Sequence, residues 1–416
     1  MSLLDELIEK MCPEGVEFKR FDEVCTLNAR IGWQRLTRAE YLQQGDYMLV
    51  TGTDFTERNK INYETCVYVT EDRYNQDKKI QLSNGDVLIT KDGTIGKVAQ
   101  VIDLPMLATL NGGVFVVRCK DGSLENRFIM HYLLSGHFQK VVKQQKTGST
   151  ISHLTQELFS RIRIPVPPKK IQQQIICILD EFSQTTTKIQ EKLQEEIQLR
   201  KSQYNYFLNA FFENQTENIV PLKSLGTLTR GKRFVHADAT EDGVPCVHYG
   251  ELYTYYGVHA SQVKSHIREE LRSKMRYAQT GDVIIVGAGE NNIDIGIGVA
   301  WEGDEDVAVH DACYTLKHKQ IPKYISYYLR SDMYHYQIKK YVSEGKICSI
   351  SADGIGKALI PIPSHEEQLR IVGILEKYDE VTKRICESLP TEIDMRKKEF
   401  EFYRDKLLLF KEREVQ

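Results

Sequence analysis

The chain contains one stretch of itself twice. Ile164-Pro165-Val166-Pro167, followed by Ile175, Ile178, Leu179 and Phe182, returns 196 positions later as Ile360-Pro361-Ile362-Pro363, followed by Ile371, Ile374, Leu375 and Tyr378. Gln172 falls on Gln368, and Arg200-Lys201 on Arg396-Lys397, at the same offset. A register held over so long a segment is an internal repeat, and a repeat dictates the architecture.

Each Ile-Pro-x-Pro enforces extended backbone, because proline fixes its own φ and drives its predecessor out of the α region. A helix can begin only after the last proline. In the second copy Ser364-His365-Glu366-Glu367 has the form of a capping box with Ser364 as N-cap. Apolar positions then follow at alternating spacings of three and four: Ile175, Ile178, Phe182, Thr185 and Ile189, then Ile371, Ile374, Tyr378, Val381 and Ile385. This spacing predicts the seam of a coiled coil. With no proline between Pro168 and Pro221, the first helix can run about 40 residues, roughly 60 Å. Polar on most faces, it needs a partner stripe, and its duplicate is the obvious candidate. Pro390 stands where Gln194 stands in the first copy. An interior proline predicts a break or kink there, with the helix resuming from Thr391 to about Leu409.

At 416 residues and 41% hydrophobic, the chain can bury two or more cores. It has no run of 18 apolar residues, so no transmembrane helix is expected. Met1 to Cys12 is amphipathic and acidic, unlike a signal peptide. Nine single cysteines without a Cys-x-x-Cys pair point to reduced thiols and a cytoplasmic protein. A net charge of −3 argues against a uniformly basic nucleic-acid binder but permits a local basic cleft.

Tyr47–Val50, Asp86–Ile89 and Val114–Val117 are strand-like, with glycine turns between them, and a helix is expected around Phe128–Lys146. A second pass begins near Ile219. Val220–Leu225 resembles Val16–Phe21, Gly281–Ile285 matches Gly85–Ile89, and Tyr328-Leu329 with Ser331 matches Tyr132-Leu133 with Ser135. The expected architecture is α+β: a strand-rich globule over 1–163, a long helix over 164–215, a second globule over 216–359 and a second helix over 360–416. The helices keep their sequence while the globule loops diverge. A common frame with different loops binds two things, or two sequences of one thing.

Gly226-Thr-Leu-Thr-Arg-Gly231-Lys232-Arg233 has phosphate-loop spacing except at its last position, where Arg233 replaces the Mg²⁺-holding Ser or Thr. Gly287-Ala-Gly289 lacks the third glycine of a dinucleotide fingerprint. His365-Glu366-Glu367 has no second histidine to make a zinc pair. No amino-methyltransferase tetrapeptide, nuclease-like carboxylate cluster or serine elbow occurs, so the chain reads as non-catalytic, with no metal site and no cofactor of its own.

What remains is a doubled set of polar loop tips. Arg30, Trp33, Gln34, Arg35 and Arg38 follow the first strand of globule one; Arg230, Lys232, Arg233 and His236 follow that of globule two. After the Gly-Asp-Val strands come Lys91, Thr94 and Lys97 in one copy and Asn291 and Asn292 in the other. Ahead of the Ile-Pro-x-Pro segments lie Lys146, Ser149 and Thr150, paired with Lys346. Such side chains read base edges and hold phosphates. Any one of them is equally well a solvated loop charge; the doubling carries the reading.

Two divergent strand-rich globules, each ending in Ile-Pro-x-Pro and a Gln-containing apolar helix, resemble the specificity subunit of type I restriction-modification systems. Phe400-Glu-Phe402-Tyr403-Arg404-Asp405-Lys406-Leu407 and the Gly148-Ser149-Thr150-Ile151 turn fit as well. The resemblance covers essentially the whole chain. It implies that each globule is a target recognition domain reading half of a split sequence in double-stranded DNA. It implies that the helices pack as an antiparallel coiled coil that sets the gap, and that they dock two methyltransferase subunits, which bring S-adenosylmethionine. Restriction and translocase subunits would add ATP- and Mg²⁺-dependent cleavage. Two other classes stay open. A coiled-coil scaffold for protein partners predicts apolar, aromatic-rich tips. An enzyme built on the Gly226 loop predicts nucleotide binding that depends on Lys232.

Overall fold

The computed structural model describes residues 3–32, 36–144, 153–215 and 218–414. By contact density the chain divides into two units, residues 1–192 with 391–416, and residues 193–390. The boundaries fall inside the two long helices, so each unit holds one globule, the first half of the helix that follows it and the last half of the other helix.

Proline and register explain how each globule is closed. Arg163–Pro165, the strand forced by the first Ile-Pro, pairs antiparallel with Phe18–Arg20, setting Lys19 opposite Ile164. In the second unit Leu359–Pro361 pairs with Ile219–Pro221, setting Val220 opposite Ile360. This pairing corrects the sequence alignment: Phe18–Phe21 corresponds to Ile219–Leu222, not to 222–225. Phe21 and Leu222, fully buried, then occupy the same place. Insertions in the loops let the offset drift, and only strand pairing restores it.

In the first unit a four-stranded sheet runs Cys25–Asn28, Val114–Cys119, Val87–Thr90, Val98–Gln100, and a three-stranded sheet runs Val67–Val69, Tyr47–Val50, Ala108–Leu110. The second unit enlarges both to five strands, with Val283–Val286 central in one and Val244–Val247 in the other. The Gly-Asp-Val turns are the same object twice. Gly85 and Gly281 both adopt φ 92°, a left-handed conformation that costs glycine little. Asp86 accepts a hydrogen bond from Ser83 N–H at 2.8 Å, as Asp282 does from Gln279 N–H at 2.8 Å.

The long helices span Lys169–Glu213 and His365–Leu407. Ser364 Oγ caps the second, accepting from Glu367 N–H at 3.3 Å. The expected break at Pro390 does not occur: the helix runs through it. Pro390 is exposed, so the carbonyl of Cys386, which loses its amide partner, is not stranded in a core.

The predicted seam is corrected in part. Ile175 and Ile371 are fully buried, but in the cores of their own globules, beside Ile171 and Leu179 or Val372 and Leu375. Ile178 is half-buried against the first core; Ile374, Ile189 and Ile385 are also half-buried. Thr185 is exposed while Thr186 is buried, and Val381 is 55% exposed. The first two turns of each helix dock on a globule, and that docking shifts the face left for helix pairing. Pairing proper begins at Phe182, whose ring meets Phe400 and Tyr403 at 5.4 and 5.6 Å. In the second unit Tyr378 stacks on Phe207 at 4.6 Å. Each pairing sets an early residue of one helix against a late residue of the other, which is antiparallel.

Candidate nucleic-acid interface

Three buried polar devices hold the loops to the helices, and each occurs twice. Gln172 Oε1 accepts from Glu125 N–H at 2.8 Å and its Nε2 donates to Pro167 O at 2.8 Å. Gln368 does the same with Ile321 N–H at 3.1 Å and Pro363 O at 2.9 Å. Tyr132 donates to Arg163 O at 2.6 Å, and Tyr328 to Leu359 O. Arg127 pairs with Asp180 at 2.8 Å, as Lys323 does with Glu376 at 2.7 Å. At these three places the frame is preserved down to individual contacts, while the loop tips differ.

In globule one the tip after the first strand and the tip after the Gly-Asp-Val strand converge on residues 111–113. Arg30 and Lys91 line one groove of about 690 Å³ with Asn111, Gly113 and Phe115. Lys91 donates its amide to Gly113 O at 2.8 Å, and its ammonium sits 5.4 Å from the Phe115 ring centre. Thr90 Oγ1 fixes the next turn by donating to Thr94 O at 2.5 Å and accepting from Lys97 N–H at 2.9 Å. Thr94 and Lys97 point out from this turn, exposed. Asp92 and His153 form an ion pair at 2.5 Å at the groove edge.

Arg30 behaves differently from its neighbours. It is 3% exposed, and its guanidinium donates to Leu110 O at 3.0 Å, Gln76 Oε1 at 3.0 Å and Thr109 Oγ1 at 3.3 Å. Its side chain braces the loop from within instead of reaching outward. Arg73 beside it pairs with Glu40, whose carboxyl is held at about 2 by the Thr37 amide and the Arg73 guanidinium. Trp33, Gln34, Arg35, Lys146, Ser149 and Thr150 lie outside the described residues.

In globule two the corresponding tips flank residues 310–313. Arg230 Nε donates to Asp311 O at 2.6 Å, while Ala288 N–H donates to Ala312 O at 2.9 Å. Gly231 passes so close to this turn that a Cβ would lie 2.2 Å from Val309 O, which explains a glycine there. Lys232 and Arg233 beyond it are exposed. The pairing of Ala288–Gly289 with Cys348–Ser349 brings the Asn291 and Asn292 tip against the Gly345-Lys346 turn. Asn291 donates to Asp294 and Asn292 to Glu344, each at 3.4 Å.

Sequence reasoning missed two features here. Glu290, Asp294 and Glu344 make this second tip partly acidic, a mixture visible only once residues 52 positions apart are adjacent. His248 and His310 lie with ring centroids 4.6 Å apart, tilted by 50° to one another. Burial lowers the pKa of both. His310 accepts from Ala312 N–H at 3.1 Å and meets Phe234 O at 3.1 Å, the contacts of a neutral ring. Histidines so far apart in sequence give no warning of such a contact.

The phosphate-loop spacing at Gly226 has no phosphate-loop structure. Gly226–Arg230 is a strand paired along its length with residues 314–318, and a Cβ at Gly226 would collide with Lys317 O at 1.7 Å. Among the described residues no cluster of three metal-ligating side chains occurs. All nine cysteines are free. No helix among the described residues is long and apolar enough to cross a membrane.

The sequence model of the type I restriction modification DNA specificity domain matches residues 13–199 and again residues 214–395. The chain belongs to that family. Each match takes in one globule and most of the helix after it, so the repeat seen in the sequence is the family's domain present twice. A putative type I restriction enzyme specificity subunit of Haemophilus influenzae is 29% identical over 309 residues, 72% of this chain and 76% of the relative. A type I restriction enzyme specificity subunit of Escherichia coli is 27% identical over 343 residues, 79% of this chain and 81% of the relative. Among solved structures, a chain from a study of assembly and conformational transition of the type I restriction-modification system superposes with TM-score 0.71. It is 16% identical and covers 95% of this chain and 97% of that one. The specificity subunit of Thermoanaerobacter tengcongensis gives TM-score 0.57 at 15% identity, covering 95% and 96%. These specificity domains share a fold across sequences that have otherwise diverged.

Proposed function

We propose that this specificity subunit reads a bipartite sequence in double-stranded DNA, one half-site per globule, and performs no chemistry itself. The observation that carries this is the contrast between frame and tips. The contacts of Gln172, Tyr132 and Arg127 repeat at offset 196 as those of Gln368, Tyr328 and Lys323, whereas the tips differ in charge, length and residue type. Lys91, Thr94, Lys97, Arg230, Lys232, Arg233, Asn291, Asn292 and Lys346 are the described candidates for contact; Arg30 supports them from within. Exposed cations supply salt-dependent phosphate affinity, and amide tips supply base discrimination.

Partner docking belongs to the helices. Tyr206 and Phe402, 196 positions apart, are 68% and 63% exposed, and each stands edge-on to its neighbour, Phe207 or Tyr403, at 5.5 Å. Leu199 and Met395, two turns earlier on the same faces, are 60% and 52% exposed. An apolar patch kept twice in register suits two copies of one partner. The reading assigns these patches to two adenine-methyltransferase subunits, which bring S-adenosylmethionine, with restriction and translocase subunits adding ATP and Mg²⁺ chemistry in the cytoplasm.

The test is to co-express the chain with the methyltransferase gene beside it and sequence host DNA for methylated adenines. One bipartite motif that vanishes on deletion of residues 164–212 is the expected result. A stable complex with DNA but no new methylation reduces the chain to a DNA-binding scaffold. Neither complex nor methylation favours a scaffold for other protein partners.

A further inference from the structure

Duplication also marks what is not duplicated. In the second unit a cavity of about 660 Å³ opens between the end of the first long helix (Tyr204, Leu208), the second long helix (Asp379) and the helix Asp332–Ile338. Its size is that of a small-molecule site. Val258, Ile297 and Val342 contribute apolar wall, and Ile293 and Tyr336 at the lining are 76% and 83% exposed. Arg330 projects into it. Its Nη2 donates to Gly257 O at 2.6 Å, but its buried Nε has no hydrogen-bond partner. Among the described residues no carboxylate lies within ion-pair distance of it, although Asp379 lines the same cavity and acts on it electrostatically. The other two carboxylates lining the cavity are engaged: Asp332 accepts from Asn209 at 2.8 Å, and Glu344 from Asn292 at 3.4 Å. Burial raises the pKa of Asp379, against the opposing pull of Arg330.

At offset 196 the first unit has Leu134 for Arg330, Ser183 for Asp379 and Gln139 for His335. Arg330 and Asp379 therefore have no counterpart at that offset; a buried arginine of the first unit, Arg404, comes from the long helix and has Asp405 at 3.7 Å. A largely buried guanidinium whose nearest carboxylate stands beyond ion-pair distance is costly to retain, and apolar walls around it call for a ligand that is part hydrocarbon. We propose that this cavity binds one small organic anion per chain, its carboxylate or phosphate on Arg330 and its apolar body against Val258, Ile297 and Val342.

The probe is 1-anilinonaphthalene-8-sulfonate added to the folded full-length chain, with uncharged N-phenyl-1-naphthylamine as its counterpart. One saturable site per chain is expected. Phenylacetate and phenyl phosphate then compete, and whichever displaces the probe at lower concentration identifies the head group. Arg330→Met should weaken the anionic probe at least tenfold and leave the neutral one within twofold. Val342→Trp, which fills the cavity but keeps the cation, should abolish both and serves alone if Arg330→Met does not fold. Two sites per chain, unaffected by either variant, would assign the probe to the exposed helix rings and overturn the proposal. So would the absence of saturable binding to the native chain.

Discussion

Asp405 accepts a hydrogen bond from the Gly136 amide at 2.8 Å across 269 residues of sequence. Its counterpart Asn209 accepts from Asp332 N–H at the same distance. Each caps the first turn of a globule helix with a side chain from the far end of the opposite long helix. Asp405→Ala should cost about 1 kcal/mol, as loss of an N-terminal cap does. Gly136→Ala should also destabilise, because its Cβ would lie 2.4 Å from the Asp405 carboxylate. Thermal melts of both variants check this.

The same exchange makes the halves unequal when cut. Residues 193–390 contain everything their core uses, including Leu208, Phe212, Ile371 and Leu375. Residues 1–192 lack Phe400, Leu407 and Leu408, which pack on their core. The fragment 193–390 should unfold cooperatively on its own. The fragment 1–192 should do so only after a peptide of residues 391–416 is added, which circular dichroism would read directly.

Gln172 and Gln368 are fully buried, and each satisfies an amide and a carbonyl that nothing else reaches in the same geometry. Replacing either with leucine should cost about 1–3 kcal/mol through the groups left unpaired. Denaturant midpoints would show it, with Gln172→Leu lowering the first unit and Gln368→Leu the second.

His318 is held at about 4 by burial, while its Nδ1 accepts from Gln320 N–H at 3.0 Å. The folded value lies below that of a free histidine, so the unfolded chain binds the extra proton first. The contribution is complete above about pH 6.5 and is lost as pH falls towards 4, with about 2 kcal/mol gone by pH 5. His318→Asn, which can still accept from Gln320, should flatten the pH dependence of the second unit's melting temperature between pH 7 and 5.

Lys97 and Lys232 are exposed and form no ion pair among the described residues. In the methyltransferase-bound complex, Lys97→Ala or Lys232→Ala should each lower the slope of log affinity against log salt by about 1. Asn291→Ala should instead relax discrimination at one base while leaving that slope unchanged. Anisotropy titrations over a salt series separate the two effects.

The repeat, the proline-forced strands and the Gly-Asp-Val turns were legible because each rests on local backbone constraint. The seam was legible only from Phe182 onward, since a three-four apolar spacing looks the same whether a helix meets a globule or another helix. The alignment of Phe18 with Ile219 was hidden by loop insertions and emerged only from pairing with Ile164 and Ile360. Arg30 looked like a contact residue because composition cannot distinguish an arginine that braces a loop from one that projects beyond it. Pro390 illustrates the opposite error: an interior proline weakens a helix by about 3 kcal/mol, yet a helix held by packing on both sides of it absorbs the loss.

The exchange of helix ends has a consequence for how the molecule is made. On the ribosome the first globule emerges before the second, but Phe400, Asp405 and Leu408, which complete it, follow only after Pro390. The second unit, complete at Pro390, can finish folding while the first still waits with Ile171, Ile175 and Leu179 uncovered. Synthesis from the N-terminus ordinarily favours the leading domain; here, of the two units, the one begun first is the one that closes second.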